Sequence, residues 1–278
     1  MKKDIKLWHG DCLELMKNIP DHSIDLICVD PPYGKYTHNH WDNALPFDKL
    51  WSQYKRIIKE NGAIIIFGSG MFTADLMNSN RSWWRYNLIW DKELITGFLN
   101  ANRQPLRQHE DICVFYKKQP VYNPQKTLGE AKNHSRGVKG IGAEVINQKN
   151  YNSYHLADNS NDSGSMKHPT SILRFKKIHP SIAVHPTQKS TELLEWIIKS
   201  YSNENGLVLD NACGSGSTLI AAINTNRNCI GIELDDHYYE VAKNRIEQHL
   251  SELENGSEFL FFNQTEKEEL NEQKTNTI

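Results

Sequence analysis

Gly206-Leu207-Val208-Leu209-Asp210-Asn211-Ala212-Cys213-Gly214-Ser215-Gly216-Ser217-Thr218 begins as an apolar strand, turns on two glycines and enters a helix. The helix continues over residues 219–224, and residues 228–233 read as the next strand, ending in the acid Glu233. Strand, Gly-rich turn, helix, strand and an acid about 20 residues on is the βαβ logic for a nucleoside ligand. The glycines let the backbone approach the ligand, and the acid pairs with ribose hydroxyls. A lone Gly-x-Gly would carry little weight; Glu233 in register supplies it. The third glycine of a dinucleotide site is missing, which favours a single nucleoside. Open α/β sheets hold ligands beyond the carboxyl ends of their strands, so acids at other strand ends are candidates to share the site.

Working outward, residues 23–29 (Ser-Ile-Asp-Leu-Ile-Cys-Val) read as a second buried parallel strand, and it runs into Asp30-Pro31-Pro32-Tyr33-Gly34. The two prolines stiffen the backbone and lack N–H groups, leaving local carbonyls with fewer donors. A carboxylate and a bare carbonyl held side by side can accept both hydrogens of one –NH2 group. Tyr33 adds an aromatic face for a planar ring. These parts suit a flipped nucleobase with an exocyclic amine, although the same five residues also suit a plain strand-ending turn. Residues 5–12 form a short strand and turn, with Asp11 at its end. Asp11 can cap the helix that starts at Leu13, accept from a ligand amine, or do both, with Cys12 supplying backbone.

Further strands are expected at residues 63–68, 86–91 and 112–117, with a final one at 259–262. Helices are expected at 47–59, ended by Asn61-Gly62, and at 72–77, 191–201 and from 236 to near 250. Residues 35–43 are polar and aromatic without a period and read as a loop over the site. Residues 97–107 mix Asn, Arg and Gln, so Asn102, Arg103 and Arg107 suit phosphate or base-edge contact.

The chain has 278 residues, 38% hydrophobic and 24% charged, enough for one large α/β core with an inserted module. No apolar run approaches a membrane span, and the first residues lack a signal-peptide core. Five dispersed cysteines without a CxxC argue for reduced thiols, a cytoplasmic home and no metal site. The net charge of -2 hides a segregation: residues 81–190 hold 17 Lys and Arg against 8 Asp and Glu, and residues 251–278 hold 2 against 7. The middle can therefore carry a phosphate-facing surface, or a merely solvated basic one. Periodicity fades over 119–180, where Asn, Gln, Lys, Ser and Gly dominate; Lys126, Lys132, Arg136 and Lys139 lie there. A long irregular insertion in a compact domain is usually functional or disordered.

Taken together, Gly10-Asp11-Cys12, Asp30-Pro31-Pro32-Tyr33-Gly34, Arg107-Gln108-His109-Glu110-Asp111-Ile112, His185-Pro186-Thr187-Gln188-Lys189 and the 210–217 stretch resemble the permuted, beta-class DNA amino-methyltransferases, adenine-N6 type. The order is diagnostic, since the catalytic motif precedes the cofactor glycines. The resemblance implies an α/β doubly wound, mostly parallel seven-stranded sheet (Rossmann-like, class I methyltransferase) with one antiparallel strand. It implies S-adenosylmethionine as cofactor, touched by Asp210, Cys213, Gly214 and Gly216. Ser217 and Lys189 would lie near its methionine end, Glu233 on its ribose, and Asp11 with Cys12 on its adenine. Asp30, Pro31, Pro32 and Tyr33 would be catalytic, with Tyr33 also stacking on the target base. Residues 1–118 would be the catalytic half, 119–180 a target-recognition insertion using Lys126, Lys132, Arg136 and Lys139, 181–262 the cofactor half, and 263–278 an acidic disordered tail. The expected partner is double-stranded DNA, with a homodimer and a cognate restriction endonuclease allowed, in a bacterial or phage setting. Two departures stand out: Asn211-Ala212 replaces the usual Pro-Phe, which would loosen packing at the methionine moiety, and Ser190 replaces a proline. Asp30 favours adenine over the alternative, cytosine-N4, which goes with serine at that position. Methylation of RNA or of a protein glutamine, which goes with asparagine at that position, and a DNA-binding protein without catalysis are the remaining alternatives.

Overall fold

The computed structural model describes residues 3–34, 46–129, 144–145, 154–155, 166–178, 188–253 and 258–263. In chain order these form β1 (Asp4–His9), α1 (Cys12–Leu15), β2 (Ile24–Val29), α2 (Phe47–Ile57), β3 (Ile58–Gly68), α3 (Met71–Ser79), β4 (Trp84–Thr96) and β5 (Arg107–Phe115). Then follow β6 (Thr127–Leu128), β7 (Glu144–Val145), β8 (Tyr154–His155), β9 (Met166–Lys167), β10 (Ile172–Arg174), α4 (Thr191–Tyr201), β11 (Leu207–Asp210), α5 (Ser217–Asn224), β12 (Asn228–Glu233), α6 (Asp236–Glu252) and β13 (Glu258–Asn263).

One sheet runs β10-β4-β5-β3-β2-β11-β12-β1-β13. Only β5 is antiparallel to its neighbours; every other pairing in this sheet is parallel. The sheet is therefore the doubly wound, mostly parallel one expected, with nine strands in place of seven. Both additions lie at the edges. β13 covers β1 from Asp4↔Glu258 to His9↔Asn263, and the three-residue β10 covers β4 at Ile172↔Ile89 through Arg174↔Asp91. Each caps a strand whose backbone groups would otherwise face outward unpaired.

Alternation along the strands divides the core in two. Leu26, Cys28, Ala63, Ile65, Phe67, Ile112 and Val114 pack with Leu193, Ile197, Leu219 and Ala242 of α4, α5 and α6. Ile27, Val29, Ile64, Ile66, Cys113 and Phe115 pack with Leu15, Leu50, Tyr54 and Phe72 of α1, α2 and α3. The five cysteines are buried free thiols, and Cys28, Cys113 and Cys229 lie in strands as small core residues.

Three boundaries differ from the sequence reading. Asn61-Gly62 does not end a helix; β3 starts at Ile58 and runs through it. The register of β2 against β3 shifts between Ile24 and Leu26, and a Cβ on Gly62 would stand 2.7 Å from Ile58 Cδ1 and 2.9 Å from the Asp25 carbonyl. The glycine is needed for close approach at that irregularity. β4 and β5 outrun their apolar stretches because backbone pairing continues to Thr96↔Arg107, whatever the side chains are. β10 lies inside a segment read as irregular, too short to show a period.

The chain divides into two compact units, 1–123 with 171–278, and 124–170. The smaller unit contains the two-stranded antiparallel ladders β6/β9 and β7/β8. The loop at 35–43, the low-complexity stretch at 159–165, His185-Pro186-Thr187 and residues 264–278 lie outside the described residues. Among the described residues, no helix is long and apolar enough to cross a membrane.

Candidate active site

Parallel pairing of β2, β11, β12 and β1 brings their carboxyl ends to one edge. Asp30 follows β2, Asp210 ends β11, Glu233 ends β12, and Gly10 and Asp11 follow β1. Because β5 runs the other way, its beginning reaches the same edge: Asp111 lies opposite Gly68 of β3, and Glu110 opposite Trp90 of β4.

Around Asp30, two buried lysines and two half-buried carboxylates compensate one another. The Lys189 ammonium, whose side chain is 9% exposed, pairs with Asp30 Oδ2. Lys189 Nζ also lies 3.3 Å from Glu110 Oε2, and Lys92 Nζ is 3.2 Å from Glu110 Oε1. The Tyr33 hydroxyl donates to Asp30 Oδ1 at 3.1 Å, and its ring stacks on Phe72 with centroids 4.5 Å apart. The rings of Phe67 and Trp90 face the ammonium at 5.0 and 6.0 Å. Burial pushes the Asp30 carboxyl up; Lys189 pulls it back, and the neighbouring Glu110 charge adds to the rise. Burial would raise Glu110 too, but Lys189, Lys92 and Lys177 overcome it and hold that carboxyl at about 2. Burial works against the Lys189 charge, and the two carboxylates more than restore it, so the ammonium holds its proton more tightly than usual.

Glu233 is compensated differently. Its Oε2 accepts the Gly214 N–H at 2.7 Å, and its Oε1 accepts those of Leu234 and Asp235 at 3.0 and 2.9 Å. Gly214 and Gly216 have φ of 51° and 77°, the left-handed region that glycine enters without strain. A Cβ on Gly216 would stand 3.2 Å from Ala242 Cβ and 3.3 Å from Ile246 Cδ1, so α6 packs directly on the turn. Arg245 donates to the Ser215 carbonyl and lies 3.4 Å from the buried Ser217 hydroxyl. The Cys213 N–H donates to the Ile232 carbonyl at 3.0 Å, tying the turn to β12.

Between the two corners sits Asp210, pushed up to about 7 by burial, with Thr218 and the Ala212 N–H opposing and Asp30 and Glu233 adding to the rise. Asp11 is a helix cap, its Oδ1 accepting the Leu13 N–H at 2.7 Å. Burial pushes the Cys12 thiol up to about 11, which leaves it no nucleophile. Asn211 Oδ1 accepts from the Tyr54 hydroxyl at 2.5 Å, and Ala212 packs against the α1–α3 core.

Lys189 was expected near the methionine end of a cofactor; the structure places its ammonium on Asp30. Glu110, Lys92 and Lys177 had no assigned role. Glu110 stands within the quoted 107–112 stretch, but a lone acid beside Asp111 gives no local sign of which one faces inward. Asn102, Arg103 and Arg107 are exposed in the β4–β5 connection and at the first residue of β5, on the strand end that also carries Glu110 and Asp111. Lys126 belongs to the smaller unit, and Lys132, Arg136 and Lys139 lie outside the described residues.

A protein-family model described as DNA methylase matches residues 24–244. The Type II methyltransferase M.HinfI of Haemophilus influenzae is 30% identical over 273 residues, spanning 86% of this chain and 67% of its own length. The DNA adenine methyltransferase YhdJ of Escherichia coli K12 is 29% identical over 255 residues, spanning 86% and 81%. Among solved structures, the M1.HpyAVI–SAM complex shares the fold at a TM-score of 0.57 and 24% identity, covering 87% of this chain and 98% of that one. The matched residues run from β2 into α6 and include Asp30, Glu110, Lys189, the glycine turn and Glu233. The chain belongs to the DNA methylase family.

Proposed function

We propose that this DNA methylase transfers the methyl group of S-adenosylmethionine to the exocyclic N6 amine of adenine in duplex DNA, site-specifically and with the base flipped from the stack. The observation that carries this reading is the half-buried Asp30 carboxylate, held at a strand end between the Lys189 ammonium and the Tyr33 hydroxyl and followed by two prolines that have no N–H to donate. The adenine-specific activity named for YhdJ supports adenine over cytosine-N4.

The other corner fits the cofactor. A Cβ-free turn lets backbone approach a nucleoside, and Glu233 Oε2, with one N–H accepted, retains an acceptor site for a ribose hydroxyl. Gly214, Gly216, Cys213, Asp210 and Ser217 would line it, with Asp11 and Cys12 towards the adenine. Bound there, the cofactor supplies an electrophilic methyl on a sulfonium.

The adenine amine is a poor nucleophile because its lone pair is delocalised into the ring. Asp30 and the Pro31 carbonyl accept its two hydrogens, which favours a pyramidal nitrogen with its lone pair aimed at the methyl. With the cofactor bound, its sulfonium would supply the methyl that this lone pair takes up and would leave as a neutral thioether. Asp30 would accept the proton that the methylated nitrogen gives up and pass it to water. Orientation and electrostatics carry the rate. Tyr33, already backed by Phe72, stacks on the flipped base. Lys126 and the basic residues around it would hold the DNA backbone.

Single-molecule sequencing of DNA from cells expressing the protein tests this reading. N6-methyladenine in a defined sequence context is expected. N4-methylcytosine alone would transfer the site to cytosine, and unmodified DNA would leave only binding.

A further inference from the structure

Asp30 is engaged before any substrate arrives: Tyr33 donates to Oδ1, and the Lys189 ammonium sits on Oδ2. An ammonium on that oxygen competes with the incoming amine for the same lone pairs. It also sets a positive charge beside a nitrogen that becomes positive in the transition state. Both effects oppose the reaction, and they are large where burial weakens screening. The structure also contains a second seat for this cation. Glu110 Oε2 lies 3.3 Å from Lys189 Nζ, is buried, and makes no hydrogen bond among the described residues. A buried carboxylate oxygen without a hydrogen bond is costly to keep, so an acceptor of that kind favours any rearrangement that satisfies it. Its other oxygen is anchored by Lys92, which is only 5% exposed. Glu110 therefore stays in place on the rigid β5 and remains ionised.

We infer that Glu110 is a positioning residue for methyl transfer: it takes the Lys189 ammonium from Asp30 when the target amine arrives. The displacement needed is short, since Nζ already stands at ion-pair distance from both acids. Net charge in the pocket is conserved. The cation leaves Oδ2 for Glu110 Oε2, the amine hydrogens replace it, and the 3.3 Å ion pair closes to a hydrogen bond. The inference rests on Asp30 being the acceptor for the amine, and it adds a moving part to that role.

The test is Glu110→Gln, a neutral side chain of the same shape whose amide oxygen holds an ammonium far more weakly than a carboxylate does. Lys189 then remains on Asp30, and the negative neighbour of Asp30 is gone. A roughly tenfold fall in the plateau kcat is expected, with KM for S-adenosylmethionine unchanged. The acid limb of the pH–rate profile should also move to lower pH, because an undivided Lys189 stabilises the Asp30 carboxylate. A packing role would lower the plateau and leave the acid limb in place, which overturns the inference; so does a variant with the parent's plateau and limb, and so does a moved limb with an unchanged plateau, which is the loss of the Glu110 charge alone. Asp30→Ala is run beside it: if that variant still turns over, the amine-acceptor reading itself falls. Should Glu110→Gln not fold, the parent is crystallised with sinefungin and a duplex carrying the site found by sequencing. Lys189 Nζ is expected on Glu110 Oε2, and Nζ still on Asp30 overturns the inference.

Discussion

Two half-buried acids at the same sheet edge, Asp30 and Glu233, are compensated by opposite means. Asp30 is compensated by a side chain, the Lys189 ammonium, at the end of a flexible stem. Glu233 is compensated by three backbone N–H groups, one in the glycine turn and two in the link from β12 to α6. A side-chain partner can leave, whereas a backbone partner cannot without unfolding the turn. In the function proposed above, the Asp30 corner would exchange partners during the reaction and the Glu233 corner would keep a standing shape for a nucleoside. One sheet edge would then divide chemistry from binding by the kind of donor it offers each carboxylate.

The largest expected effect tests the chemical corner. Asp30→Ala should lower methyl transfer by about a thousandfold or more, as loss of a group that acts at the reacting atom does. Scintillation counting of labelled methyl transferred to DNA checks it. Glu233→Ala should weaken S-adenosylmethionine binding by roughly 10- to 100-fold, the loss of charge-assisted hydrogen bonds to a ribose. Isothermal titration calorimetry reads the change, and an unaltered dissociation constant would remove Glu233 from the ribose.

Asp210 lies between the corners and sharpens the contrast through pH. Its folded carboxyl is raised to about 7 by burial, above its unfolded value, so its contribution to stability is full at low pH and is lost as pH rises through 7. Asp210→Asn removes that dependence. Urea melts should show the variant gaining on the parent by ~1–3 kcal/mol between pH 5 and pH 8. An unchanged difference across that range would mean Asp210 titrates normally. Gly216→Ala should cost about 1–2 kcal/mol, from a left-handed φ and a Cβ forced against Ala242. Its melting curve decides. The smallest effect concerns the second unit. Lys126→Ala should weaken binding to all DNA sequences alike and reduce the salt slope by about one. A sequence-dependent loss would make Lys126 a base reader instead.

The acids at strand ends and the glycine turn were legible because each depends on local pattern: an apolar run, then a turn residue, then a fixed spacing. The same holds for Asp11, whose cap is made with Leu13, two residues on. Glu110 was not legible as a partner of Lys189. The two lie on different elements far apart in the chain, and only the reversed direction of β5 brings them to one edge. Lys92 was hidden for a related reason. Asp91-Lys92-Glu93 reads as the polar end of a strand, yet β4 continues through it and buries the lysine. β10 escaped notice because three residues cannot display a period.

The division of labour is tested most directly by measuring two quantities on two variants. Single-turnover methyl transfer at saturating S-adenosylmethionine and the dissociation constant of S-adenosylmethionine are determined for Asp30→Ala and for Glu233→Ala. The expected pattern is crossed: Asp30→Ala loses transfer and keeps its affinity, while Glu233→Ala loses affinity and keeps most of its rate at saturation. Two variants that each lose rate and affinity together would contradict the account.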